Sequence, residues 1–260
     1  MVSAFQQFLM CFAFLLVAAY LVPAGILHWI VHVRPTAEIE AARLQSRRPR
    51  RSDVVREVRQ SLVALVLFAA YCVPLFWAYE AGLTAVYWDV SSYPLWWLPV
   101  SVAAAAVFHD TWFYWTHRVM HLPSVFRFMH AGHHRSITPT PWAILSFDPL
   151  ETVPQFAFFA VLIWLVPMHP ASLFAYLMFD GLLNAAGHSG HELVSRSIRQ
   201  NPRLWFLAAV VHHDLHHTRF NHNFGQYFTF WDRLMGTHLD PPANAGTMVR
   251  DPEVTKQPAT

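Results

Sequence analysis

Apolar residues run almost unbroken from Ala4 to Val33, and again over 61–81. A bilayer core about 30 Å thick is crossed by roughly 20 apolar helical residues, so each run predicts a membrane span. The segment between them, 34–60, is polar. It carries eight arginines, including the RRPRR of 47–51, against four acids, and that excess marks a cytoplasmic loop. Residues 82–94 (GLTAVYWDVSSYP) read as a short loop on the far side, with tyrosine and tryptophan suited to an interface. A third span starts near Leu95 and runs into FHDTWFYWTHRVMH. After a mixed segment at 123–150 come two shorter apolar stretches, 152–167 and 171–187. Together they predict a helical hairpin that enters the membrane and returns, broken at its tip by Pro167 and Pro170. From Val194 the chain is more polar and is placed on the cytoplasmic face. The segment after Pro241, rich in proline and small residues, predicts a poorly ordered tail.

The predicted fold is an all-α integral membrane protein. It has about four transmembrane helices or hairpin segments and a cytoplasmic, histidine-rich helical cap. Three regions follow: membrane spans with a basic loop over 1–94, a catalytic domain over 95–240, and a tail over 241–260. This topology brings 109–134, 188–191 and 212–222 to one side of the membrane.

Composition supports a lipid environment. Of 260 residues, 55% are hydrophobic and 13% charged, where soluble domains average ~25% charged. The formal charge of +2 makes no case for nucleic acid. Lys256 is the only lysine, a bias that suits a GC-rich bacterial genome and favours the inner membrane. The N-terminus lacks a basic leader region, so its apolar run reads as a retained helix rather than a cleaved signal. Cys11 and Cys72 sit in apolar runs with no ligand spacing and read as packing residues.

Histidine changes the picture, with 17 copies against 16 acids. His117 and His121 are four apart, which puts them on one helix face. His130, His133 and His134 are spaced i, i+3, i+4, and His213, His216 and His217 repeat that spacing. His188 and His191 are three apart at the end of the hairpin. These ten candidate ligands on four elements are too many for one ion and suit two, at five each. The isolated His28, His32, His169 and His238 read as core or interface residues. His109 lies too far up the helix to ligate, His212 points elsewhere, and His222 falls past the last box.

Imidazole suits zinc, copper, iron and nickel, and the absence of cysteine ligands argues against structural zinc. An all-nitrogen, two-metal site at a membrane surface fits non-haem iron handling O₂. A zinc-dependent membrane hydrolase of lipids stays open on ligand type, although such two-metal sites usually include a bridging carboxylate. A non-enzymatic metal-binding or transport protein is a third reading, and ligands at span ends rather than the midplane weigh against transport. Asp110 and Asp214 are placed to accept the outer N–H of a ligand imidazole. No G-x-G-x-x-G and no haem or iron–sulfur cysteine motif occurs, so reducing electrons must come from another protein. Trp112, Phe113, Trp115, Trp142 and the hairpin offer apolar walls for a lipid.

The stretches HDTWFYWTHRVMH (109–121), HAGHH (130–134), PTPWAILSFDPLE (139–151) and HHDLHHTRFNHNFGQYFTFWDRLMGT (212–237) resemble the fatty acid hydroxylase / sterol desaturase superfamily. The PTPW…FDPLE and FTFWDRLMGT stretches look like its sterol C5-desaturase branch. The resemblance spans 100–240. It implies an integral membrane di-iron enzyme that uses O₂ and two electrons to hydroxylate or desaturate a lipid C–H position, sterol-like or fatty acyl. It further implies an external donor, a cytochrome b5-like protein or a ferredoxin with its reductase. The active site would face the cytoplasm, at the bacterial inner membrane or, in a eukaryote, the endoplasmic reticulum. His117 and His121 match the first box, His130, His133 and His134 the second, and His213, His216 and His217 the third. His188 matches the family's additional histidine. His191 departs from the pattern, since similar proteins often carry an aromatic residue there.

Overall fold

The computed structural model describes residues 3–241; the expected tail after Pro241 otherwise lies outside the described residues. The first apolar run forms one helix, Ala4–Val33. It comprises α1 (Ala4–Phe14) and α2 (Val22–His28), joined and followed by π-helical turns at Leu15–Leu21 and Trp29–Val33. Ser3 caps it, with Gln6 closing the box from the third position. A short α3 (Ala37–Ala41) follows, and then α4 (Arg51–Glu80). Helix α4 starts ten residues before the apolar run at 61, inside the segment expected to be loop. The reason is local: Asp53 Oδ2 accepts from Arg50 N at 3.1 Å, closing the first turn.

The remaining elements are α5 (Trp97–Met120), α6 (Pro123–Met129), α7 (Ala131–His134), α8 (Thr152–Leu165), α9 (Pro170–Gly187), α10 (Arg196–Arg199), α11 (Val210–Arg219) and α12 (Phe230–Leu234). No strand is formed among the described residues, where only isolated bridges occur.

Among the described residues, two helices are long and apolar enough to cross a membrane, Ala4–Val33 and Arg51–Glu80. Only 17% and 28% of their apolar windows are buried within the chain. Monomers in water rarely expose apolar patches above a few hundred Å², so these surfaces call for lipid. Among the described residues, two of the four expected spans have that length and apolarity. Helix α5 carries His109, Asp110, His117 and Arg118 along its second half, and α9 carries Asp180 and Asn184; neither is apolar enough. Helix α8, at 14 residues, is too short.

Helices α8 and α9 both pack on α5 and share one core, built on Ala105, Ala106, Phe158, Leu162, Met168 and Tyr176. A second core joins Tyr20 and Ala24 of the first helix to Leu65, Ile144 and Ala185. Gly181 lets α2 approach α9 closely, because a Cβ there would meet Pro23 Cγ at 3.2 Å. The C-terminal end of α5, the α6–α7 turn, the end of α9 and α11 converge beside these cores, and they carry the histidines.

Candidate metal centre

Nine of the ten candidate histidines gather into two sets. His117, His121, His130, His134 and His216 form one, and His133, His188, His213 and His217 the other; within each set the ligand nitrogens lie within 4.8 Å of one another. The sets adjoin: the ring centroids of His134 and His217 are 4.8 Å apart, and those of His130 and His133 5.0 Å.

The spacing of the boxes sorts the ligands in an unexpected way. Each i, i+4 pair (117/121, 130/134, 213/217) serves one set, while the i+3 residue of each longer box (His133, His216) crosses to the other. At about 100° per residue, positions i and i+4 differ by some 40°, but i+3 lies 100° from i+4. The middle imidazole therefore leaves on the opposite flank. His130 also stands outside the helix proper, with φ −144° where α6 ends and α7 begins. Gly132 makes that turn possible. Its N–H donates to Asp148 Oδ2 at 2.6 Å, and a Cβ would collide with the Asp148 carboxylate.

His191 joins neither set. Its backbone bridges Arg43, with Leu44 N–H donating to Gly190 O and Glu192 N–H to Ala42 O. That pairing turns its ring towards His32, 5.5 Å away between centroids. The two sets thus hold five and four imidazoles rather than five each.

The hydrogen bonds test whether a metal fits. A carbonyl oxygen only accepts, so a ring nitrogen bonded to one must carry the proton. His117 Nδ1 donates to Phe224 O at 3.0 Å, His133 Nδ1 to Ser146 O at 3.3 Å, His188 Nδ1 to Asn184 O at 2.9 Å and His216 Nδ1 to His222 O at 2.8 Å. His130 Nδ1 lies 2.8 Å from Glu151 Oε1, with both groups buried, but outside hydrogen-bond geometry. In the neutral rings of His117, His133, His188 and His216, Nε2 is then a bare lone pair. Yet His188 Nε2 faces His133 Nε2 at 3.4 Å. Two lone pairs at that distance repel, and a shared cation resolves the conflict. The spacing suits one: with metal–imidazole bonds of about 2.1 Å, neighbouring donors sit about 3.0 Å apart on an octahedron and 3.4 Å on a tetrahedron.

Electrostatics favour the ligand form. Burial pushes the His133 imidazole down to about 3 and that of His188 to about 4. Burial first, and then repulsion from neighbouring imidazoles, holds His130, His134, His213, His216 and His217 well below the ordinary 6.5. Burial, and secondarily the Asp148 charge, pushes the Glu151 carboxyl well up. A divalent cation on His130 would oppose that shift by favouring the carboxylate.

Asp110 does not lie where it was expected. Asp110 Oδ1 accepts from the backbone N–H groups of Gln226, Tyr227 and Phe228 at 3.0, 2.7 and 3.1 Å, so it anchors the loop after α11. Asp214 Oδ1 accepts from Gln45 Nε2 at 2.5 Å and ties α11 to the arginine-rich segment. An acid that lies against a candidate ligand imidazole is Glu151, at the end of the FDPLE stretch. Asp232 also escaped notice. Its carboxylate accepts from Phe224 N and Gly225 N, each at 2.8 Å, which sets the Phe224 carbonyl on His117. The only available signal for either was its place in a family-like stretch. His109 is not a ligand; its Nδ1 meets the hydroxyls of Tyr176 and Tyr227 at 2.5 and 2.9 Å.

A cavity of about 250 Å³ reaches His213 of the four-histidine set. Leu183, Ala186, Leu193 and Val210 are among its apolar walls, and Asn184, Gln226 and Tyr227 add polar atoms.

Two adjacent all-histidine sets that could each hold a metal ion, beside two membrane-length helices, define a histidine-box chain. A family model for fatty acid hydroxylases matches residues 102–237, and the chain belongs to that family. Its similar relatives support the sterol desaturase branch. A Delta(7)-sterol 5(6)-desaturase of Aspergillus fumigatus is 32% identical, over 73% of this chain and 64% of the relative. One of Gibberella zeae is 29% identical, over 74% and 58%. Human lathosterol oxidase is 28% identical, over 75% and 64%. The chain thus spans 58% to 64% of the length of these curated relatives. No solved structure matches it.

Proposed function

We propose that this protein is a membrane-bound, non-haem di-iron oxidoreductase that uses O₂ and two electrons to hydroxylate or desaturate a C–H position of a lipid, sterol-like or fatty acyl. The observation that carries the reading is the pair of convergent sets of neutral imidazoles, with opposed lone pairs at His133 and His188. The names of the relatives supply the direction: they are sterol desaturases and a sterol oxidase. No carboxylate belongs to either set, which counts against a zinc hydrolase with a bridging acid.

In this reading His117, His121, His130, His134 and His216 hold one iron, and His133, His188, His213 and His217 the other. Bound iron supplies the oxidising power that an unactivated C–H bond requires and that no side chain offers. The chain does the rest. Backbone carbonyls on the outer nitrogens of His117, His133, His188 and His216 fix each ring and its tautomer. Glu151 lies 2.8 Å from the outer nitrogen of His130 and supplies the charge that faces it. Burial of the imidazoles keeps bulk water from the reacting carbon. The cavity beside His213 receives the lipid, with apolar walls for its chain or rings and Asn184 and Gln226 as orienting groups. Electrons come from a separate cytochrome b5-like or ferredoxin-type donor. The arginines of 34–60 give an acidic donor a complementary surface at the cytoplasmic face.

The test is metal per chain, by mass spectrometry and Mössbauer spectroscopy, on detergent-purified protein reconstituted with ferrous iron. The reading predicts two irons and O₂ uptake that depends on a reductant and a lipid. Failure to bind iron, or zinc-dependent hydrolysis of a lipid ester, would overturn it.

A further inference from the structure

Three imidazoles outside both metal sets lie against one another. His28 and His32, one turn apart on the first helix, have ring centroids 5.0 Å apart, and that of His32 is 5.5 Å from that of His191. The Trp142 ring flanks His28 at 5.7 Å and is backed at 5.7 Å by Tyr20. Nδ1 of His28, Nε2 of His32 and Nε2 of His191 are all buried without a hydrogen-bond partner. His191 is 2% exposed, while His28 and His32 are partly exposed, so the group leads from the surface inward. Native proteins leave few buried polar atoms unpaired, and three on adjoining rings point to a ligand.

The chemistry of the ligand follows from the donors and acceptors. The group is not a third metal site, because its ring nitrogens do not converge within 4.8 Å as those of the two sets do. His191 Nδ1 donates to Ser189 O at 2.9 Å, so its Nε2 offers a lone pair and requires a donor. A carboxylate or phosphate oxygen would oppose that lone pair. Arg43 and Arg48, the nearby cations, each place one terminal nitrogen 2.6 Å from Glu40 Oε1, which offsets their charge. They do count against an ammonium. A hydroxyl meets every condition, donating to His191 and accepting a ring N–H from the histidines of the first helix. The position agrees. The group lies where the first apolar helix ends and the arginine-rich segment begins, the depth at which the hydroxyl of an amphipathic lipid rests. His191 is also three residues from His188, a member of the four-histidine set.

We propose that the juxtaposed rings of His28, His32 and His191 form a receptor for the hydroxyl group of the lipid substrate, holding its polar end where the first helix ends. This rests on the lipid-oxidoreductase reading above. The test is equilibrium binding of tritiated lathosterol and octadecanol, each against its methyl ether, to the iron-loaded protein in detergent. An ether keeps the oxygen as acceptor and loses the donor. The wild-type chain should prefer an alcohol to its ether by about tenfold, the value of one good hydrogen bond. His191→Phe should bind both alike with metal content unchanged, and His191→Gln, which retains an acceptor, should restore part of the preference. Absence of the preference in the wild-type chain, its survival in His191→Phe, or a third metal ion lost in that variant would overturn the receptor. Iron content read on the same samples separates that failure from failure of the di-iron reading.

Discussion

Glu151 gives a sharp test of the two-site arrangement, because it touches one set only. Its Oε1 lies 2.8 Å from His130 Nδ1, and the carboxylate is fully buried, at 0% exposed. Removing it leaves the outer nitrogen of a buried imidazole without the carboxylate that faces it. Loss of such a partner typically weakens metal binding by 10- to 100-fold, or about 1.4–2.8 kcal/mol. Glu151→Leu should impose that loss on the five-histidine site and spare the four-histidine site. Glu151→Gln, which keeps a carbonyl acceptor, should lose much less. The assay is metal retained per chain against rising chelator. Wild-type protein should release metal in one range. In Glu151→Leu half the metal should leave at 10- to 100-fold lower chelator, with the other half unmoved. Parallel release of both halves would refute the division of ligands, and an unchanged curve would refute the role of Glu151.

Four further outcomes follow. His216→Ala should lower metal affinity at the five-histidine site and His217→Ala at the four-histidine site, although the two residues adjoin; the same chelator titration separates them. Gly132→Ala should lose the metal of the five-histidine site first, since its Cβ enters the space of the Asp148 carboxylate, and unaltered metal content would contradict the clash. Asp110→Ala leaves three amides of 226–228 without their acceptor, at roughly 1–3 kcal/mol each where they stay buried. It should lower the thermal midpoint sharply, while Asp110→Asn, which keeps the accepting oxygen, should not; equal midpoints would count against the anchoring role. The last concerns pH. With folded values of about 3 for His133 and about 4 for His188 against an ordinary 6.5, the unfolded chain takes up protons that the folded chain refuses. Metal-free protein should keep full stability above pH 6.5. It should lose about 1.4 kcal/mol per group per pH unit as pH falls towards those folded values, read as a falling thermal midpoint; a flat profile would refute the burial of neutral imidazoles.

The periodicity of the boxes was legible because helix geometry is local: residues four apart share a face in any environment. The division of the histidines into two sets was also written in that spacing. It was masked by treating i, i+3 and i+4 as one face, when the i+3 ring lies 100° from its i+4 neighbour. What could not be read was whatever depends on a distant backbone. His191 keeps the local spacing of a ligand, yet its direction is set by a bridge to Arg43, nearly 150 residues earlier in the chain. Asp110 and Asp214 sit beside histidines in sequence but are claimed by backbone amides of 226–228 and by Gln45. Glu151 sits beside none in sequence and is claimed by His130. Charged and polar groups in an apolar interior must find partners wherever the fold presents them, so adjacency in sequence is a weak guide to which acid supports which imidazole. A related reason separates α5 from the two membrane-length helices. Helix α5 has the length of a span, but its second half is polar because it supplies the first box. The same residues cannot both face lipid and converge on a metal.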